Sequence, residues 1–165
     1  MKNNIVLIGM PGVGKSTVGV ILAKILGYSF VDSDLVIQER TGKLLREIIE
    51  EKGVDGFIEV ESDVLSSLNP EKTVIATGGS AVYGAGAMAH LKEIGTVVYL
   101  SISFADLEKR LSDIKSRGVV LRAGQTLRDI YEERILLYEK YADLTVEENG
   151  GTVEDTVEAI AKGVM

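Results

Sequence analysis

The chain has 165 residues, enough for one well-buried core and too few for two ordinary domains. It is 45% hydrophobic and 26% charged, and a formal charge of -7 argues against nucleic acid or an anionic membrane surface as partner, since both require a basic face. Cysteine is absent, which excludes disulfides, thiolate metal sites and cysteine nucleophiles. No signal peptide precedes Ile5-Val6-Leu7-Ile8 and no apolar run approaches transmembrane length, so a cytoplasmic monomer is expected.

In chain order, short β-rich runs at 4–8, 29–32, 73–76, 96–101 and 144–147 alternate with helical patterns near 15–26, 35–53, 56–68, 86–93, 104–114, 126–141 and 153–162. Apolar strands separated by helices predict an α/β chain whose parallel sheet is covered on both faces, a single domain over 1–165. The segment 112–125 carries Lys115, Arg117 and Arg122 between Gly118 and Gly124 and has little helical period. Long connections of this kind are lids, binding loops or plain surface loops.

The first strand runs into Gly9-Met10-Pro11-Gly12-Val13-Gly14-Lys15-Ser16, with Thr17 following, a G-x-x-x-x-G-K-[ST] phosphate loop. The glycines let backbone N–H groups close on phosphates and Lys15 bridges the outer ones. The Ser16 hydroxyl suits Mg²⁺, and the following helix turns its positive end to the anion. The second strand closes on Phe30-Val31-Asp32-Ser33-Asp34, where residues two apart project together from the carboxyl edge. Mg²⁺ near Asp32 and a substrate hydroxyl at Asp34 would satisfy both carboxylates; alternatively one of them only caps the next helix.

Two charges interrupt apolar helical stripes. Arg134 falls among Leu127, Tyr131, Tyr138 and Tyr141, and Glu61 among Val54, Phe57, Val64 and Leu68. Such groups must be paired or face a pocket, because unpaired burial is costly. Either Glu61 and Arg134 form a structural ion bridge, or Arg134 faces a substrate anion. His90, the single histidine, reads as a surface helix residue.

Together these segments resemble the shikimate kinase family, of the nucleoside-monophosphate-kinase-like P-loop fold. The resemblance covers nearly the whole chain: the phosphate loop, Phe30-x-Asp32-x-Asp34 leading into Glu39-Arg40-Thr41-Gly42, and Ile75-Ala76-Thr77-Gly78-Gly79. It continues through Arg110 and Arg117 to Glu133-Arg134-x-x-x-Tyr138 and Ala142-Asp143. It implies a three-layer P-loop NTP hydrolase fold with a five-stranded parallel sheet, ATP and Mg²⁺ as cofactors, a lid at about 112–125, and a small hydroxylated substrate. Gly12, Val13, Gly14, Lys15, Ser16 and Thr17 would hold the nucleotide, with Arg110 against the adenine and Ser16 and Asp32 at the metal. Asp34 would accept the proton of the attacking hydroxyl, while Lys15 and Arg117 stabilise charge on the transferring phosphoryl group. Gly78, Gly79, Glu61 and Arg134 would join Asp34 around the acceptor.

Three positions depart from the family pattern. Ile58 stands where an arginine follows the phenylalanine at Phe57 and helps clamp the substrate carboxylate; Ser80 replaces a third glycine. The lid reads Arg117-Gly118-Val119-Val120-Leu121 where Pro-Leu-Leu follows the arginine. Shikimate is the first reading for the acceptor, with a raised KM expected from Ile58. A different small hydroxy acid or polyol is the second. A nucleotide-binding regulatory module without transfer activity is the third.

Overall fold

The first strand, β1 (Asn4–Ile8), is buried at every position, as a strand covered on both faces must be. In the computed structural model, which describes residues 3–112, 124–148 and 151–164, β1 is the centre of a five-stranded sheet. It pairs with β3 (Thr73–Ala76) and β4 (Gly95–Ser101), and β2 (Ser29–Asp32) and β5 (Leu144–Glu147) lie outside them. The order β2-β3-β1-β4-β5 is parallel throughout, so every strand delivers its carboxyl end to one edge. Ligands of open parallel sheets bind along that edge.

Seven helices flank the sheet among the described residues: α1 (Lys15–Leu26), α2 (Ser33–Thr41), α3 (Leu45–Ser67), α4 (Ala85–Ile94), α5 (Phe104–Ser112), α6 (Leu127–Tyr141) and α7 (Val153–Val164). The main core gathers Ile5–Ile8 with side chains of β3, β4, α1, α4 and α7. A second, smaller core of Ile37, Ile48, Phe57 and Val64 holds α2 against α3. No described helix is long and apolar enough to cross a membrane.

The strands fall where the sequence places them, but one helix does not. The stretch 35–53 divides at Gly42, whose left-handed conformation (φ 68°) ends α2 with its N–H bonded to the Gln38 carbonyl. The boundary expected between 53 and 56 is instead a kink at Gly53 within the 23-residue α3. Ile48 before the kink and Phe57 and Val64 after it bury into the same small core, which keeps the chain running on. A single 3-10 turn, Ala81–Tyr83, was not expected from the sequence. His90 is half-buried rather than on the surface, its Nε2 2.5 Å from the Leu68 carbonyl. The expected lid, with Arg117, lies almost entirely outside the described residues.

One buried amide registers the sheet's amino edge. Asn4 is 2% exposed; its Nδ2 donates to the carbonyls of Pro70 (2.9 Å) and Ile94 (3.0 Å), and its Oδ1 accepts from the Thr73 amide (3.0 Å). It thereby ties β1 to the starts of β3 and β4. Asn4→Ala would strand three backbone groups in the interior and should cost about 2–3 kcal/mol of unfolding free energy. A urea denaturation curve that shows a loss below about 1 kcal/mol would mean that water replaces the amide.

Candidate active site

The phosphate loop leaves the end of β1 and turns through two glycines with positive φ, Gly12 at 87° and Gly14 at 101°. Gly14 is the N-cap of α1 and supplies no side-chain cap, so the first N–H groups of that helix remain available to an anion. Lys15 is buried, its Nζ donating to the carbonyls of Gly9 (2.7 Å) and Met10 (2.9 Å). Burial pushes its pKa down to about 8, against the opposing pull of the Asp34 charge.

Of the two roles the sequence left open at this pair, capping is the one that Asp32 fills. Its Oδ1 caps α2 by accepting from the Asp34 amide (3.0 Å), and its Oδ2 accepts from the Ser16 hydroxyl (3.0 Å). Asp34, in the first turn of α2, is half-buried. Burial, reinforced by Asp32 and opposed by Lys15, raises its pKa to about 6.

Beyond β3 the chain makes the Thr77-Gly78-Gly79 turn against the same groups. A Cβ on Gly78 would lie 2.7 Å from Glu61 Oε2 and 2.9 Å from Asp34 Oδ1. One on Gly79 would lie 2.6 Å from Pro11 Cδ and 2.9 Å from Arg134 Nη1. A side chain at either position would have to displace these groups. The Tyr138 hydroxyl, donating to the Gly79 carbonyl at 2.7 Å, fixes the turn from α6.

Glu61 and Arg134 are each 1% exposed. Glu61 Oε1 accepts from the Ser80 hydroxyl at 2.6 Å, whereas Oε2 has no hydrogen-bond partner. Burial raises the Glu61 pKa to about 7, with Ser80 and the charges of Arg134 and Lys15 pulling the other way. Arg134 Nε donates to the Tyr83 hydroxyl (3.3 Å), which in turn donates to Glu133 (2.6 Å). Arg134 thus acts on Glu61 through its charge, while the hydrogen bond to Glu61 comes from Ser80.

A cleft of about 530 Å³ joins these parts. Lys15, Ser16, Thr17, Gly12, Gly14, Asp34, Glu61, Gly78, Gly79 and Arg134, all expected from the sequence, line it. Val13, Asp32 and Arg110 do not line it. Arg110 binds the outer side of the phosphate loop, donating to the carbonyls of Gly12 (3.4 Å) and Val13 (3.2 Å) and pairing with Glu148 (3.1 Å). Glu148 is held in turn by Thr156 at 3.0 Å. Sequence reasoning missed Gln38, Leu44, Leu45, Arg46 and Thr77 as lining residues. Thr77 adjoins the glycine turn and so carried a signal; residues 44–46 did not, because the helix boundary beside them was misplaced.

A phosphate loop and a carboxylate facing it across one cleft, at the carboxyl edge of a parallel sheet, define a P-loop kinase acting on a small molecule. The family model described as shikimate kinase matches residues 11–164. Over its whole length the chain is 39% identical to the shikimate kinase of Clostridium botulinum strain Eklund 17B, covering 99% of that protein. It is 37% identical to the Nitrosospira multiformis enzyme, with 96% of this chain and 83% of that one covered. Among solved structures, Acinetobacter baumannii shikimate kinase in complex with shikimate superposes with a TM-score of 0.89 at 36% identity, covering 99% of this chain and 93% of that one. The Aquifex aeolicus enzyme gives 0.83 at 35%, covering 96% and 94%. The chain belongs to the shikimate kinase family, small-molecule kinases that use ATP to phosphorylate a hydroxyl.

The raised carboxylates make stability depend on pH. Asp34 holds its proton in the folded state up to about pH 6 but releases it near 3.8 when unfolded, so folding loses stability as pH rises through that window. Glu61 extends the fall to about pH 7. Asp34→Asn removes the ionisation and should stabilise the ligand-free protein at pH 7.5 by on the order of 2 kcal/mol, flattening the decline between pH 4 and 6. Melting curves across that range check it; a variant as pH-sensitive as the wild type would contradict the cause given.

Proposed function

We propose that the chain transfers the γ-phosphoryl group of ATP to a hydroxyl of shikimate, giving shikimate 3-phosphate, and that residues 1–165 form one kinase domain. The observation that carries this reading is the single cleft in which Lys15 and Ser16 of the phosphate loop meet Asp34, Glu61 and Arg134. The full-length similarity to an enzyme solved with shikimate supports the choice of acceptor.

In this reading the acceptor hydroxyl lies at Asp34, which takes its proton as the oxygen attacks phosphorus. Lys15 exchanges its two carbonyl partners for phosphate oxygens and neutralises charge that builds during transfer. Ser16 and Asp32, already hydrogen-bonded, offer the hard oxygen donors that Mg²⁺ prefers, and that ion, held also by phosphate, would neutralise charge on the nucleotide. Gly78 and Gly79 let the acceptor ring approach the backbone, and Arg134 supplies a cation for its carboxylate. Arg117, outside the described residues, is assigned to the transferring phosphoryl group by the family motif alone.

Lys15→Ala and Asp34→Asn should each abolish turnover while the protein remains folded. ADP release, coupled to a spectrophotometric readout and run with a panel of hydroxylated acids and polyols, tests the acceptor. Shikimate should lead the panel, and a polyol turned over faster would remove it. In the wild type, kcat/KM should fall tenfold per pH unit below about pH 6, as the Asp34 proton returns. A limb nearer pH 4 would mean that Asp34 is not the base.

A further inference from the structure

The acceptor side of the cleft contains a cation for which the family motif does not account. Arg46 lines it together with Asp34, Glu61 and Arg134, whereas Ile58, at the position of the missing arginine, does not. Leu44 is the N-cap of α3, so Arg46 is its second residue. A positive side chain there opposes the helix dipole and is unfavourable by a few tenths of a kcal/mol or more, so the helix gains nothing by having it. The first-turn need is met by Glu47, which accepts from the Leu44 amide at 2.9 Å.

Other arginines of the described chain are held: Arg40 by Ser67, Arg110 by Glu148, Arg128 by Glu132. Arg46 is solvent-exposed, and among the described residues it makes no hydrogen bond or ion pair, even with Glu50 at the i+4 position. The charge balance points the same way. Without Arg46 the ionisable groups lining the cleft cancel when all are charged, Lys15 and Arg134 against Asp34 and Glu61. With it the cleft carries an excess cation, as an anionic acceptor requires.

We propose that Arg46 is a specificity-determining residue that binds the carboxylate of the acceptor together with Arg134, taking over from the α3 start the part that an arginine at position 58 would play. The inference rests on the shikimate reading above. It also predicts that Ile58 does not by itself weaken shikimate binding.

Steady-state kinetics with shikimate and with its methyl ester, in wild type, Arg46→Ala and Arg46→Lys, test it. Arg46→Ala should raise the KM for shikimate at least about tenfold, as expected for a lost charge-assisted contact. The KM for ATP and kcat should stay within about twofold, and the KM for the ester should not change. Arg46→Lys should recover part of the loss, and the melting temperature should not fall. An unchanged shikimate KM in Arg46→Ala, or an equal loss for acid and ester, overturns the role of Arg46 and leaves the kinase reading standing. A wild type that leaves shikimate unphosphorylated, or prefers the ester, removes the acceptor and the carboxylate contact together.

Discussion

Three ionisable groups held out of water, and a half-buried fourth, set the terms for this cleft. A buried charge costs several kcal/mol unless it is paired or hydrogen-bonded, and Lys15, Glu61 and Arg134 are each less than a tenth exposed. The chain meets that cost with backbone more than with ion pairs. Lys15 is held by two carbonyls of its own loop, and Arg134 lies against Tyr83 on the rim of the glycine turn. Gly78 lies directly against the Asp34 and Glu61 carboxylates, so the distance between them is set by a residue that has no side chain to move. The parallel sheet makes this arrangement possible, because β1, β2 and β3 bring the phosphate loop, Asp32 and the glycine turn to neighbouring positions on one edge.

The residues that broke a pattern were the ones the sequence exposed most clearly. Arg134 and Glu61 stood out because each interrupts an apolar stripe, and both are buried at the cleft. The strands were legible because they are short β-rich runs set between helical patterns, with the central β1 and β3 buried at every position. The α2–α3 region was not. Its apolar residues serve a small separate core rather than one continuous helical face, so a single period ran through Gly42 without registering the turn. Placing Arg46 in the middle of a helix hid it, and only the true start of α3 brings it to the cleft. Arg110 was expected against the adenine, whereas its bonds to the Gly12 and Val13 carbonyls and to Glu148 depend on tertiary contacts that the sequence does not display.

The departures from the family pattern fit together once their surroundings are known. Ser80, in place of a third glycine, gives the buried Glu61 its one hydrogen-bond donor, so the substitution lessens a desolvation cost that a glycine could not. Ile58 stands where the family pattern has a cation on α3, and the exposed Arg46, a few turns earlier on the same helix, is among the residues lining the cleft. If Arg46 acts as proposed, the acceptor side keeps its charge, which an anionic substrate demands and a neutral polyol does not.

The two carboxylates beside Gly78 are pushed apart in their affinity for a proton. Glu61 is nearly sealed from water and accepts only from Ser80, whereas Asp34 keeps some solvent contact and feels Lys15 as its main opposing charge. Burial therefore acts more strongly on Glu61 than on Asp34. Asp34, with its pKa raised to about 6, is the more readily ionised of the two. Glu61 close by limits the repulsion that a second full negative charge would bring against an anionic acceptor. A device of this kind needs both groups desolvated and fixed, and the glycine turn supplies the fixing.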